Sequence, residues 1–244
     1  MYFQLDLHPV ERLLLAELGT RWGERSMLDL GVGAGRTTYT FGAICGRYVG
    51  VDYSPDMVRL ARERVGESPR VTLTGGDARA MPEFANAFFD VVLFSFNGID
   101  SNDHEGRLAV LREIRRVIRP DGVFLFSSHS LLALPRPLVL PAPDWRRPLR
   151  SLRFAGGAVK AWIRFKRANR NVDPNEARRK GWEILLEGHD FNLPQYYVTP
   201  AECVRQVVAA GFRVDAIYDR SAHRLAAPVV SGDPWLFYWC RPAA

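Results

Sequence analysis

The 244-residue chain has little of several things, and each shortage narrows its class. Its three cysteines, Cys45, Cys203 and Cys240, are odd in number, far apart and in no Cys-x-x-Cys pair. That argues for a reducing compartment and against both a disulfide framework and a zinc site. No run approaches the roughly 18 apolar residues a membrane span needs. The most apolar long window, LLALPRPLVLPAP at 131–143, is cut by prolines at 135, 137, 141 and 143. The opening MYFQLDLHPVERLLL lacks a basic start, an apolar core and a small-residue cleavage site, so no secretory signal is expected and a cytoplasmic location is. Acidic residues are scarce in one place: between Arg136 and Lys180 stand 13 Lys and Arg against Asp144, Asp173 and Glu176, whereas the rest of the chain holds 20 basic and 24 acidic residues. The net charge of +6 therefore belongs to one segment.

What is present is a regular alternation of strand and helix signals. A helix over 9–20 opens on His8-Pro9, with proline at a first helical position, and closes at Gly19. A strand at 26–30 leads to a glycine loop and a helix over about 36–44. RYVGVD ends a second strand at Asp52, and Ser54-Pro55 caps and starts the next helix. RVTLTG is a third strand, and FDVVLFSF is a fourth, apolar throughout, as in a parallel sheet buried on both faces. A helix over 104–118 ends at RPDG, which launches VFLFSS as a fifth strand. After a long irregular stretch, TPAECVRQVVAAGF reads as a capped helix, and FRVDAIYD and WLFYWCR close the chain. The pattern predicts one α/β domain with a doubly wound, Rossmann-like, seven-stranded sheet, mostly parallel with an antiparallel final strand and helices on both faces.

In such sheets ligands bind outside the carboxyl ends of the strands. LDLGVGAGRTT at 28–38 sits there, after the first strand. A dinucleotide fingerprint counted from Gly31 would place its third glycine at 36, where this chain has Arg36. Asp29, Asp52 and Asp77 each stand at the carboxyl edge of one of three adjacent strands and converge on one crevice. Carboxylates there suit ribose hydroxyls, an ammonium group or an exocyclic amine.

With LDLGVGAG (28–35), VGVDYSPDMV (49–58), GGDARAMP (75–82), FDVVLFSFNGID (89–100) and LREIRRVIRPDGVFLFS (111–127), the chain resembles the class I S-adenosylmethionine-dependent methyltransferases. The resemblance covers 26–128 closely, and the closing helix and strands over about 199–241 match in order. It implies a methyltransferase that uses S-adenosylmethionine and releases S-adenosylhomocysteine. It also implies that Asp29, Gly31, Gly33 and Gly35 hold the methionine end, that Asp52 binds the ribose with Tyr53 and Met57 packing nearby, and that Asp77 and the Ala78 amide face the adenine. Phe94, Ser95 and the residues up to Asn97 would line the floor beside the sulfonium.

Methyl transfer is an in-line displacement that needs chiefly proximity and orientation, helped by a base where the nucleophile is protonated. His104, His129 and His189 open at the catalytic edge; His129 and His189, with Asn97, are the candidate catalytic residues, and Asp100, Tyr196 and Tyr197 are further candidates to orient the acceptor. The division expected is an N-terminal helix (1–25), a cofactor core (26–128), a basic insertion (129–198) and closing elements (199–244). Within the insertion, Leu149, Leu152, Gly156, Val159 and Ile163 share one helical face, and Arg150, Arg153, Gly157, Lys160, Arg164 and Arg167 share another. Such a helix fits a lid over a small-molecule acceptor, peripheral contact with an anionic membrane through 149–167, or a nucleic-acid footprint, the last disfavoured for want of a recognised RNA-binding module. An RNA methyltransferase and a non-catalytic S-adenosylmethionine-binding protein stand as alternatives.

Overall fold

A computed structural model describes residues 6–66, 68–133, 148–187 and 192–243, the side chains of Leu18 and of residues 148–154 excepted. Five parallel strands run in the order β3 (Val71–Gly75), β2 (Arg47–Asp52), β1 (Ser26–Leu30), β4 (Phe89–Phe94) and β5 (Ile118–Ser130). The period of two along each strand divides the core. Leu28, Leu30, Val49, Val51, Val92 and Phe94 point into the layer of α4 (His104–Val117) and α7 (Pro200–Ala209). Met27, Tyr48, Val91 and Leu93 point the other way, toward α1 (Pro9–Leu18), α2 (Thr38–Ile44) and α3 (Pro55–Val65). Helices on both faces make the sheet doubly wound, and each large apolar side chain so buried contributes about 1.5–3 kcal/mol.

The helix starts follow their capping chemistry. Ser54 Oγ accepts from the Met57 amide at 3.4 Å with Pro55 in the first turn, Asp103 accepts from Gly106 at 2.7 Å, and Thr199 accepts from Glu202 at 3.3 Å. The strand ends differ from expectation. β4 stops at Phe94 because Phe96 and Asn97 both take left-handed backbone, φ +57° and +60°. β5 starts five residues before VFLFSS, pairing Ile118 with Phe89 across an irregular step.

The sheet holds nine strands among the described residues, two more than expected. β9 (Trp235–Pro242) lies antiparallel between β5 and β8 (Phe212–Tyr218), the antiparallel closure predicted. The added pair is the antiparallel hairpin of β6 (Trp182–Glu187) and β7 (Leu193–Val198). β4 accompanies β5 only as far as Phe94↔Phe126, so the end of β5 projects past it. There β7 joins β5 in parallel through His129↔Tyr197 and Ser130↔Val198, while β9 holds the opposite edge through His129↔Trp235. The hairpin thus stands on the carboxyl edge of the sheet, in line with the end of β4.

The basic insertion contains α5 (Pro148–Ala168) and α6 (Pro174–Lys180). The predicted apolar face of α5 needs correction: Ile163 is half exposed, and Phe165 is the buried anchor, packed with Leu131, Ala177, Leu185 and Tyr197. Phe165 carries more apolar area than Val159 or Ile163, and it is the side chain turned inward.

Candidate active site

After β1 the chain turns through Gly31, Gly33 and Gly35, at φ +63°, +54° and +83°. A side chain at Gly31 would press on Phe94, whose Cε2 stands 3.0 Å from the added Cβ. At Gly33 a Cβ would meet nothing nearer than the Gly31 carbonyl at 3.9 Å, so that backbone lies bare. Asp52, buried at the end of β2, accepts the Gly33 amide at 2.7 Å and the Ser54 amide at 2.9 Å. Each carboxylate oxygen keeps a further lone pair.

Gly31, Asp52 and Phe94 open on a cleft of about 610 Å³. Gly31, Asp52, Tyr53, Asp77, Ala78 and Phe94 line it, all six expected from sequence. Leu193, Pro194 and Gln195 of β7 form another wall, with Arg79, Gly98 and Asp103, none of them anticipated. Asp77 grips Arg79 in a two-pronged ion pair, with contacts of 2.6 to 3.0 Å, and Arg79 holds the carboxyl below its ordinary pKa. Asp77 therefore already has a cationic partner.

Five expected contacts lie away from the lining: Asp29, Gly33, Gly35, Met57 and Ser95. Asp29 falls on the face of the sheet opposite Leu30, Val51 and Phe94, because the strand alternates. It accepts the Tyr48 hydroxyl at 2.5 Å and the Thr37 hydroxyl, which ties the glycine loop to β2 and to the start of α2. Burial pushes its carboxyl up to about 6, against those two bonds. Ser95 donates to Glu11 of α1.

Glu11 was not anticipated. Fully buried, it receives Arg36 through two bonds of 2.6 and 2.7 Å, the Ser95 hydroxyl, and its own helix through the His8 amide at 2.7 Å. Burial opposes the charge, and these donors outweigh it to hold the carboxyl below its ordinary value. Arg36, where a dinucleotide fold would have glycine, thus clasps the N-terminal helix to the loop and to the end of β4.

The structure brings Asn97 and His129 together, with Asn97 Nδ2 and His129 Nε2 3.2 Å apart. His129 Nδ1 faces Asp100 Oδ2 at 2.9 Å, and the His129 amide donates to that oxygen at 2.6 Å. Asp100 Oδ1 accepts from Arg107 at 2.5 Å and from Ser128 at 2.7 Å, with both ionic side chains fully buried. Arg107 had a legible signal, a charge on the α4 face that also carries the buried Leu111 and Ile114. His104 serves packing: it stacks on Trp182 at 4.3 Å and bonds the Tyr196 hydroxyl at 2.7 Å, and Tyr196 is buried. Tyr197 stacks on His129 at 4.8 Å. His189 lies outside the described residues.

Residues 27–122 match the family of the methyltransferase domain, and the sheet built around them is the class I S-adenosylmethionine-dependent methyltransferase fold. In sequence the chain is similar to the demethylmenaquinone methyltransferase of Staphylococcus aureus, 29% identical over 125 residues, half of each chain. The chain thus spans about half the length of the curated relatives it matches. In fold it is similar to the CcbJ methyltransferase of Streptomyces caelestis (TM-score 0.62, 17% identity, 100% of this chain and 94% of that one). It is also similar to the 1,6-didemethyltoxoflavin-N1-methyltransferase of Burkholderia thailandensis, solved with 1,6-didemethyltoxoflavin and S-adenosylhomocysteine (TM-score 0.58, 19% identity, 97% and 77%).

Proposed function

We propose that the chain is a single-domain methyltransferase that transfers a methyl group from S-adenosylmethionine to an oxygen or nitrogen of a small molecule. The observation that carries this reading is the cleft itself, where Gly31, in left-handed backbone, and Asp52, a buried carboxylate with free lone pairs, meet at the carboxyl edge of β1 and β2. Its volume of about 610 Å³ lies in the range of small-molecule sites. Asp52 would bind the ribose hydroxyls, Gly31 and Gly33 would admit the methionine end, and Ala78 would face the adenine. Asp77 would meet the adenine amine only by sharing itself with Arg79. When bound, S-adenosylmethionine supplies a methyl group on a sulfonium.

The chain's own contribution is placement: Phe94 and Gly98 form the floor, and Leu193, Pro194 and Gln195 of the β6–β7 hairpin would form the acceptor side. The demethylmenaquinone and 1,6-didemethyltoxoflavin enzymes, by their names, act on small molecules, which supports an acceptor of that kind. The cationic stretch over α5 and α6 suits an acceptor that carries negative charge. Calorimetry with S-adenosylhomocysteine tests the reading. The wild-type chain should bind it, and Asp52→Ala should weaken binding at least about tenfold, roughly 1.4 kcal/mol. Unchanged affinity would refute the ribose assignment, and no binding by the wild type would refute the proposal.

A further inference from the structure

Beside the cleft stands a group arranged for proton transfer, and it narrows what the acceptor can be. We infer that His129, oriented by Asp100 and Arg107, is the general base of the reaction, and that the acceptor therefore carries a proton, as O–H or N–H, on the atom that is methylated. The inference rests on the methyltransferase reading above. Asp100 Oδ2 faces His129 Nδ1 at 2.9 Å, and a carboxylate accepts only, so the ring proton sits on Nδ1 and the lone pair on Nε2. Arg107 and Ser128 hold the other carboxylate oxygen, which fixes Asp100 in place with no exposure to solvent. Asp100 and Arg107 are positioning residues and His129 is the catalytic one.

Nε2 faces Asn97, the residue before Gly98 of the cleft floor, and the imidazole keeps a 12% exposed edge. Asn97 Oδ1 is buried and has no hydrogen-bond partner among the described residues. Half a turn of the amide exchanges N–H donor for carbonyl acceptor at the same spot, so Asn97 can serve the ring both before and after it gains a proton. A buried carbonyl left unpaired is costly, and its use in the protonated state of the ring gives it a reason to be there. The neighbouring backbone is strained: Phe96 and Asn97 are successive non-glycine residues at positive φ, and Phe96 stands largely exposed between His8 and Trp235, 5.6 and 6.2 Å away ring to ring. Trp235 Nε1 is a second buried polar atom without a partner, on a ring edge-on to His129 at 6.5 Å. One orphan accepts and the other donates, and both belong to residues packed on this imidazole.

In the step inferred, the acceptor oxygen or nitrogen bonds the methyl carbon as the carbon–sulfur bond breaks, with that electron pair staying on sulfur. The acceptor's proton passes to Nε2, leaving an imidazolium paired with Asp100.

The first test needs no acceptor. Ring-nitrogen NMR of the histidine-labelled wild-type chain at mildly alkaline pH should show Nδ1 protonated and Nε2 bare for His129, and Asp100→Asn should mix the two tautomers. A proton on Nε2 in the wild type overturns the proposal, whether or not the Asp100 variant folds. A screen of phenols, aromatic amines, thioethers and carbon nucleophiles with labelled methyl donor then supplies a turnover assay, and turnover confined to the last two classes overturns it. With the acceptor found, His129→Gln should lower kcat about 10²- to 10⁴-fold while S-adenosylhomocysteine binds as to wild type. A kcat within about threefold of wild type overturns the base assignment and leaves the methyltransferase reading standing, whereas failure of the wild type to bind S-adenosylhomocysteine strikes that reading instead.

Discussion

Two buried carboxylate–arginine pairs flank the end of β4, and they differ in what surrounds them. Asp100 and Arg107 are both sealed, at 0% side-chain exposure, inside the layer between α4 and the sheet. Glu11 is equally sealed, yet its partner Arg36 keeps 23% of its side chain in solvent. The first pair joins elements that pack through large apolar surfaces and need not part. The second joins the N-terminal helix to the end of the glycine loop, where its arginine reaches solvent. A third pair, Asp77 and Arg79, completes the series in the open, with both side chains about half exposed. One chemistry at three depths should therefore do three jobs: hold a base, fasten a helix, and leave a carboxylate available to exchange partners.

The largest effect should come at the deepest pair. Arg107→Met leaves Asp100 in the core with Ser128 and His129 but without its arginine, and the loss in unfolding free energy by denaturant titration should be about 3–5 kcal/mol. Arg36→Ala should cost clearly less, about 1–2 kcal/mol, because water can reach Glu11 through the space vacated. Equal losses would erase the distinction between a sealed pair and a rim pair.

Asp29 probes the loop between the two clusters. Its folded-state pKa of about 6 lies above the ordinary 3.8 of an exposed aspartate, so the folded chain binds the extra proton and this group destabilises the fold increasingly as pH rises through that window. Asp29→Asn removes the titration. The stability of wild type relative to the variant should therefore improve by about 1 kcal/mol from pH 7 to pH 5, measured by urea unfolding at both pH values. A gap that widens on acidification would contradict the burial cause.

The smallest effect belongs at the surface. Arg79→Ala should change stability by less than about 1 kcal/mol, as exposed pairs do. The same variant sharpens the series through binding: with Asp77 released, S-adenosylhomocysteine affinity in calorimetry should hold or rise, and a fall would assign Arg79 itself to the ligand.

Legibility in the sequence followed the same division between local and distant causes. The glycine loop, the capped helices and the apolar β4 are set by neighbours along the chain, and Gly31, Asp52, Tyr53, Asp77, Ala78 and Phe94, which line the cleft, were named by the motifs that carry the family resemblance. Asp29 was on the right strand and the wrong face, although the alternation with Leu28 and Leu30 was there to be counted. The β6–β7 hairpin escaped because β7 finds its place on the sheet only where β5 outruns β4, a fact about relative strand lengths that no local pattern carries. Asn97 and His129 were separate candidates, and their meeting across 32 residues is a product of the fold. Glu11, inside an ordinary helical pattern, showed nothing of its burial; its partners Arg36 and Ser95 lie 25 and 84 residues on.

The narrow footing of that hairpin has a consequence for how such an enzyme changes. It joins the central sheet through only the last two residues of β5, His129 and Ser130, while the donor side of the cleft rests on different strands. Under the proposed function, a change of acceptor preference is expected from substitutions at Leu193, Pro194 and Gln195, which face the cleft, while Tyr196 and Val198 of the same strand stay anchored in the main core. The sheet works as a socket, and Leu193, Pro194 and Gln195 are the interchangeable fitting.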